Sequence, residues 1–398
     1  MFNSNFISPS GRHFKIAMGF LGTMLIVGTT SPVALAQAAD KAATPPAAAG
    51  ASADSEGFIE DAPNMALKDN FAKFRSSIQG QKFATPADKQ MFDEFYTDYE
   101  FKSWTLKKNA TKITVMRNQL KTTFRQAKSG PVYDRLNELT LDVLTKKLKN
   151  KKYYPFFRVN AMLAIGDLNA ALGNNPTPLP QALPVLLETL DDAQQLDAVK
   201  IAALTGIRRH VLLGVKDPAI AKAALKFAKV EDADVGKAWM RSQAIEILGY
   251  LRSAGANNEV VLLLQSILTD KKATLKLRCT AAEALGQLDL TGAAGLQPDK
   301  LLGALTQLMK DGCDDELKNV KDKNETVSPR KMKTYLDAVT VGLGDATKGV
   351  LSIKGADAKK IDELKKFFTK ELLSKLDNEE STPEDLEKAV DATLKKVS

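Results

Sequence analysis

Residues able to carry out chemistry are scarce in this chain. It has two histidines, His13 and His210. His13 lies in a leader-like segment, so a Ser-His-Asp triad or Cys-His dyad would have to run through His210. A His-rich zinc site has too few ligands. Cys279 and Cys313 are the only cysteines. They can pair in an oxidising compartment, or be a small buried thiol and a loop thiol; the sequence leaves both open. GLGDATKG (342–349) lacks the spacing of a phosphate loop and follows no strand. CDDELKNVKDKNE (313–325) is acidic but lacks the ligand register and central glycine of a calcium loop, so it reads as a solvated insertion between helices. DDAQQLD (191–197) and EDADVG (231–236) read as turns with helix caps. H-E-x-x-H, C-x-x-C and G-x-S-x-G are absent. His210 follows Arg208 and Arg209 in a core-type position and reads as packed. The expectation is therefore no catalytic residue, no cofactor and no metal.

The elements that hold these residues begin after a leader. Residues 1–36 run from Arg12 and Lys15 through an apolar stretch (16–28) to small residues ending at Ala34 and Ala36. That order describes a secretory signal peptide, with cleavage expected near Ala36 or Ala38. The apolar run is short for a membrane anchor, no cysteine follows the cut to carry a lipid, and Arg12 stands alone, without a twin-Arg pair. Removing the leader lowers the net charge from +8 to +6, since it contains two cations and no acid. A positive balance favours anionic partners; export disfavours nucleic acid. Residues 37–57 are Ala, Pro, Ser and Gly and read as a flexible tether.

From Phe58 the apolar residues recur at helical spacing. Helices are predicted over 64–79, from Pro86 through the aromatic run Phe92, Phe95, Tyr96, Tyr99, Phe101 and Trp104, and over 106–128. Together they read as an N-terminal cap (58–130) with an aromatic core. Beyond it a pattern repeats: RVNAMLAIGDL from Arg158, KIAALTGIRRH from Lys200, RSQAIEILGYL from Arg241 and RCTAAEALGQL from Arg278. Each has Ala three residues after the cation and an aliphatic residue seven after it. Gly follows as Gly166, Gly249 and Gly286, and Leu closes as Leu168, Leu251 and Leu288. The starts are 42, 41 and 37 residues apart, the period of a helical solenoid. A first helix precedes each copy, over 131–148, 179–190, 217–229 and 257–270, with Pro131, Pro180 and Pro218 at the starts. The second copy departs from the pattern: Arg208 replaces Gly and His210 replaces Leu, which predicts looser packing there. A weaker fifth unit follows, with a first helix over 298–312. Helices over 357–376 and 383–397 read as a polar C-terminal cap (350–398) on an array spanning 131–349.

These copies resemble HEAT repeats. The resemblance implies an all-α superhelix of antiparallel helix pairs, with second helices lining a concave surface. It also implies a ladder between acidic turns and second-helix cations, for which the candidates are Asp192 with Lys200, Asp234 with Arg241, and Asp270 with Arg278; Arg158 begins the cation series. Motif alignment then gives three concave rungs. The first is Asp167, Arg209, Tyr250 and Gln287. The second is Leu163, Thr205, Glu246 and Glu283, and the third Asn160, Ala202, Gln243 and Thr280. Tyr250 and Arg209 lead as partner contacts, because Tyr and Arg are favoured at binding hot spots.

The expected function is a non-catalytic protein-binding scaffold exported to the bacterial periplasm or envelope. Two alternatives stand beside it. One is an accessory subunit of an envelope enzyme, or a lyase, since some HEAT-like proteins are pigment lyases or DNA glycosylases. The other is a binder of anionic polymers or lipid surfaces through Lys146, Lys147, Lys149, Lys151 and Lys152, or Lys359, Lys360, Lys365 and Lys366.

Overall fold

A computed structural model of the chain describes residues 57–231, 234–323, 329–376, 385 and 388–392. The predicted leader, the tether up to residue 56 and most of the helix predicted over 383–397 lie outside the described residues. Within them, no helix is long and apolar enough to cross a membrane.

The N-terminal region holds helices α1 (Asn70–Gly80), α2 (Pro86–Glu94) and α3 (Ile113–Ala127). Thr85 starts α2 with a capping box: its hydroxyl accepts from Asp88 N at 3.2 Å and the Asp88 carboxylate accepts from Thr85 N at 2.9 Å, with Pro86 in the first turn. The chain then widens into a π-helical turn, Phe95–Glu100, and one α-turn, Phe101–Ser103. This bulge turns the aromatic run onto one side, where Phe92, Phe95, Tyr96, Phe101 and Trp104 are buried. Phe74 of α1 meets the Phe92 ring edge-on at 5.2 Å, and Phe101 meets Trp104 at 5.6 Å. Such edge contacts suit the ring quadrupoles. The Trp104 indole N–H donates to Glu100 at 2.9 Å.

Five helix pairs follow: α4 (Pro131–Lys149) with α5 (Pro155–Gly166), α6 (Ala182–Asp191) with α7 (Asp197–Leu212), α8 (Pro218–Ala228) with α9 (Val235–Leu251), α10 (Glu259–Thr269) with α11 (Leu275–Gln287), and α12 (Pro298–Lys323) with α13 (Pro329–Leu343). Proline opens α4, α5 and α8; Asp217, Asp234 and Thr274 cap α8, α9 and α11 through their side chains. Pro180 does not open a helix, because α6 begins two residues later at Ala182. The second helices α5, α7, α9, α11 and α13 pack on one another in sequence, far more closely than the first helices do. This closely packed row of second helices forms the inner row of the stack, with the first helices outside it. The architecture is an α-solenoid of repeated helix pairs.

Small residues set that spacing. A Cβ on Gly166 would stand 2.8 Å from Gly206 Cα, and one on Gly249 would stand 2.7 Å from Ala284 Cα. A Cβ on Gly286 would collide with the Val341 carbonyl. The looser packing predicted for the second copy is therefore wrong. Gly206, two residues before Arg208, meets Gly166 backbone to backbone, so α5 and α7 are in close contact and Arg208 is not in the seam.

The stretch predicted as an insertion after residue 312 is helix instead. Leu305, Met309, Cys313 and Leu317 are buried at four-residue spacing, so one apolar stripe carries α12 past Cys313 and the helix runs on to Lys323; Glu316 is buried beside the stripe and pairs with Lys331 at 3.3 Å. Cys313 is thus on a helix rather than a loop. No disulfide joins it to Cys279; both are buried thiols. A short antiparallel hairpin, β1 (Asn169–Ala171) and β2 (Thr177–Pro178), links α5 to α6. Its strands are too short to show alternation in the sequence. At the far end α14 (Ala358–Lys366), capped by Asp357, lays Ile361 and Leu364 against the array and continues through a π-helical turn, Phe367–Leu372. Val390 is buried, and Asp391 pairs with Lys310 at 3.0 Å.

Candidate inner face and cationic cavity

The second-helix cations tie each pair together in an unexpected way. Arg241 Nε donates to Ala228 O at 3.1 Å and Arg278 Nε to Leu268 O at 2.8 Å. Arg158 donates to Lys151 O at 3.4 Å and to the Gln195 side chain. Each reaches back to a carbonyl at or near the C-terminal end of its own first helix, where exposed carbonyls and the helix dipole favour a cation. Arg158 and Arg278 are each only 3% exposed. Burial pulls the Arg158 pKa down, with Asp192 opposing. Arg278 has its counter-charge in Asp311 of the next repeat at 2.7 Å.

The acids of the predicted ladder have other main partners. Asp192 is held by Lys151 at 2.9 Å, and its pKa is lowered first by that bond, with a smaller contribution from Lys200. Asp234 accepts from Lys237 N at 2.9 Å as the cap of α9. Asp270 accepts from Lys272 N at 2.9 Å in a turn. The ladder is thus mainly cation-to-carbonyl.

The first two predicted rungs lie along the inner row. Asp167, Arg209, Tyr250, Gln287, Leu163, Thr205 and Glu246 are half-buried, and Glu283 is exposed. In the third rung only Gln243 is partly open. Asn160, Ala202 and Thr280 are buried, because that position turns into the seam between neighbouring second helices. Charge divides along the row. Toward the C-terminal end, partial desolvation by the neighbouring second helices raises the Glu283 pKa first, although the side chain stays open to solvent, and then the nearby carboxylates Glu246 and Asp337 raise it further. In the middle, Arg208 meets Glu246 at 2.6 Å and lies over the Tyr250 ring at 5.5 Å, a cation–π contact.

At the N-terminal end, α3 of the cap, inner helices α5 and α7 and the hairpin line a half-open cavity of about 350 Å³. Arg117, Lys121, Arg125, Arg208 and Arg209 line it, with Asp167 the one carboxylate among the described residues. Asn169 is the hub behind it. Its carbonyl accepts from Tyr133 OH at 2.7 Å and Asn137 at 3.0 Å, and its side-chain oxygen accepts from Arg209 at 2.6 Å. Arg209 also donates to Gly166 O at 3.2 Å, and Lys121 pairs with Asp167 at 2.9 Å. Arg209, nominated for an outer partner, is therefore partly engaged in holding the cavity wall. Arg117, Lys121 and Arg125 were missed in the sequence. Their signal is visible in RNQLKTTFR, with cations at i, i+4 and i+8 on one helical face, but nothing in the sequence says what that face meets.

His210 is buried beneath this row, with Nε2 unpartnered. Burial, then the charge of Arg209, lowers its pKa to about 4. The Lys146–Lys152 cluster is partly neutralised within the chain: Lys146 pairs with Asp142, Lys147 with Asp61 and Lys151 with Asp192. Among the described residues no group of three or more His, Cys, Asp or Glu is placed to hold a metal ion. Comparison of the chain with protein-family models, with curated proteins and with solved structures gives no match.

Proposed function

We propose that this chain is a non-catalytic, protein-binding scaffold of the bacterial periplasm or cell envelope, built on an array of the HEAT type, and that it grips its partner along the inner row of second helices. The observation that carries this reading is the half-open stripe across α9 and α11. Gln243, Glu246, Tyr250, Glu283 and Gln287 offer carboxylate, amide and aromatic groups on helices whose spacing is fixed by backbone contact. A rigid, chemically mixed surface suits a folded or extended protein segment. A uniform polyanion would favour an unbroken cationic stripe, whereas this stripe turns acidic at Glu246, Glu283 and Asp337.

The test is crosslinked capture from the envelope fraction of native cells with tagged protein, followed by measurement of the recovered partner's affinity in purified form. Tyr250→Ala should lower that affinity by about tenfold or more, as expected for a central aromatic contact. Arg209→Ala is the poorer probe, because it also loosens the wall at Gly166 and Asn169. Recovery of only lipid or polysaccharide, released by salt, would reject the scaffold reading.

A further inference from the structure

We propose that the cavity between α3 and the inner helices α5 and α7 is an oxyanion site, taking a compact group that carries two or more carboxylate or phosphate charges. This goes beyond the scaffold reading and stands whether or not the inner row binds a protein.

Charge is the first argument. Among the described residues, five cations and one carboxylate, Asp167, line the cavity. Lys121 is matched by Asp167 and Arg208 by Glu246. Arg117 and Arg125 have no carboxylate partner among the described residues. They lie with Lys121 at four-residue intervals on α3, a stripe about 12 Å long in which like charges repel. Arg117 and Lys121 are half-buried and Arg125 is exposed, so an anion seated against this face would relieve the repulsion while remaining reachable from solvent.

Arg117 adds a second observation. Its Nε is buried and has no hydrogen-bond partner, a position that destabilises the fold unless an acceptor meets it. The guanidinium fork matches the spacing of carboxylate and phosphate oxygens.

The surroundings suit such a ligand. Asn169 and Gly166 O fix Arg209 in place, and the close Gly166–Gly206 approach brings the α5 and α7 backbones together behind it. Leu120, Phe124, Leu163 and Leu168 supply an apolar wall, which strengthens each charge–charge contact by excluding water. The volume suits a small ligand or one side-chain group. The cationic lining disfavours a cation.

Two sources share this chemistry: a free small anion, and acidic side chains of a protein segment. Calorimetric titration of the purified full chain at low ionic strength separates them, with citrate, inorganic pyrophosphate and an end-blocked tetraglutamate peptide as probes. At least one probe should bind, more weakly as salt is added, and both Arg117→Gln and Arg125→Gln should lower that affinity by about tenfold. Arg117→Lys, which keeps the charge but loses the fork, should fall between. Tetraglutamate binding assigns the site to acidic protein segments; binding of citrate or pyrophosphate alone assigns it to a small anion. Lys222→Gln, on the separate outer cavity beside α8, should leave binding unchanged. The variants relieve repulsion on α3, so a thermal midpoint at or above that of the parent will show that they fold. The proposal is overturned if no probe binds, or if binding is unchanged in the Arg117→Gln, Arg125→Gln double variant.

Discussion

At the scale of single residues, His210 has a measurable pH consequence. It is 1% exposed, and its pKa is lowered to about 4 from an ordinary value of 6.5. The unfolded chain therefore takes up a proton near pH 6.5, while the folded chain resists protonation until near pH 4. Stability is at its full value above pH 6.5 and is lost as pH falls through that window, by about 3 kcal/mol in total. His210→Leu should flatten the part of the stability-versus-pH curve between pH 7 and pH 4. Chemical denaturation at several pH values would show it, and an unchanged slope would mean that another group drives the acid sensitivity. The sequence placed His210 in a core position from the repeat alignment alone. It could not show that Nε2 goes unpartnered, because that depends on which atoms from other repeats surround the ring.

At the scale of elements, glycine is the sharpest test of the stack. Gly286 of α11 faces the backbone of α13 at the Val341 carbonyl, an atom that cannot swing aside. Gly303 of α12 is exposed with open space around it. Gly286→Ala should destabilise by about 1–3 kcal/mol through overpacking. Gly303→Ala should stabilise by roughly 0.5–1 kcal/mol, because alanine costs less conformational entropy in a helix. Thermal melts of the two variants should move in opposite directions. The recurring Gly166, Gly249 and Gly286 were legible in the sequence, and so was their purpose. Gly206 was not, because motif alignment put Arg208 in the glycine position; only the crossing of α5 and α7 shows that the contact moved back two residues. The helical continuation of α12 was hidden for a similar reason. The many charges of 313–323 obscured a four-residue apolar stripe running through Cys313 and Leu317.

At the scale of the whole molecule, the array is quasi-linear, each pair leaning on its neighbours. Local damage should therefore stay local. In hydrogen exchange, Gly286→Ala should speed opening of α10 through α13 while α1 through α3 keep their protection. Uniform loss of protection would instead mean that cap and array unfold as one cooperative unit.

The sequence by itself determined the helical class and the helix-pair period. Each of these is written in local spacing: apolar residues every three or four positions, and a motif every forty or so. Only the tertiary structure decided what the charges do. It turned a predicted ladder of acids and cations into cations held by helix-end carbonyls, and it paired Lys147 and Lys151 with Asp61 and Asp192. It also brought Arg117, Lys121 and Arg125 of the cap against Arg208 and Arg209 of α7. Those two groups lie some ninety residues apart in the chain, and electrostatic partners are chosen by distance in space, which one-dimensional spacing does not encode.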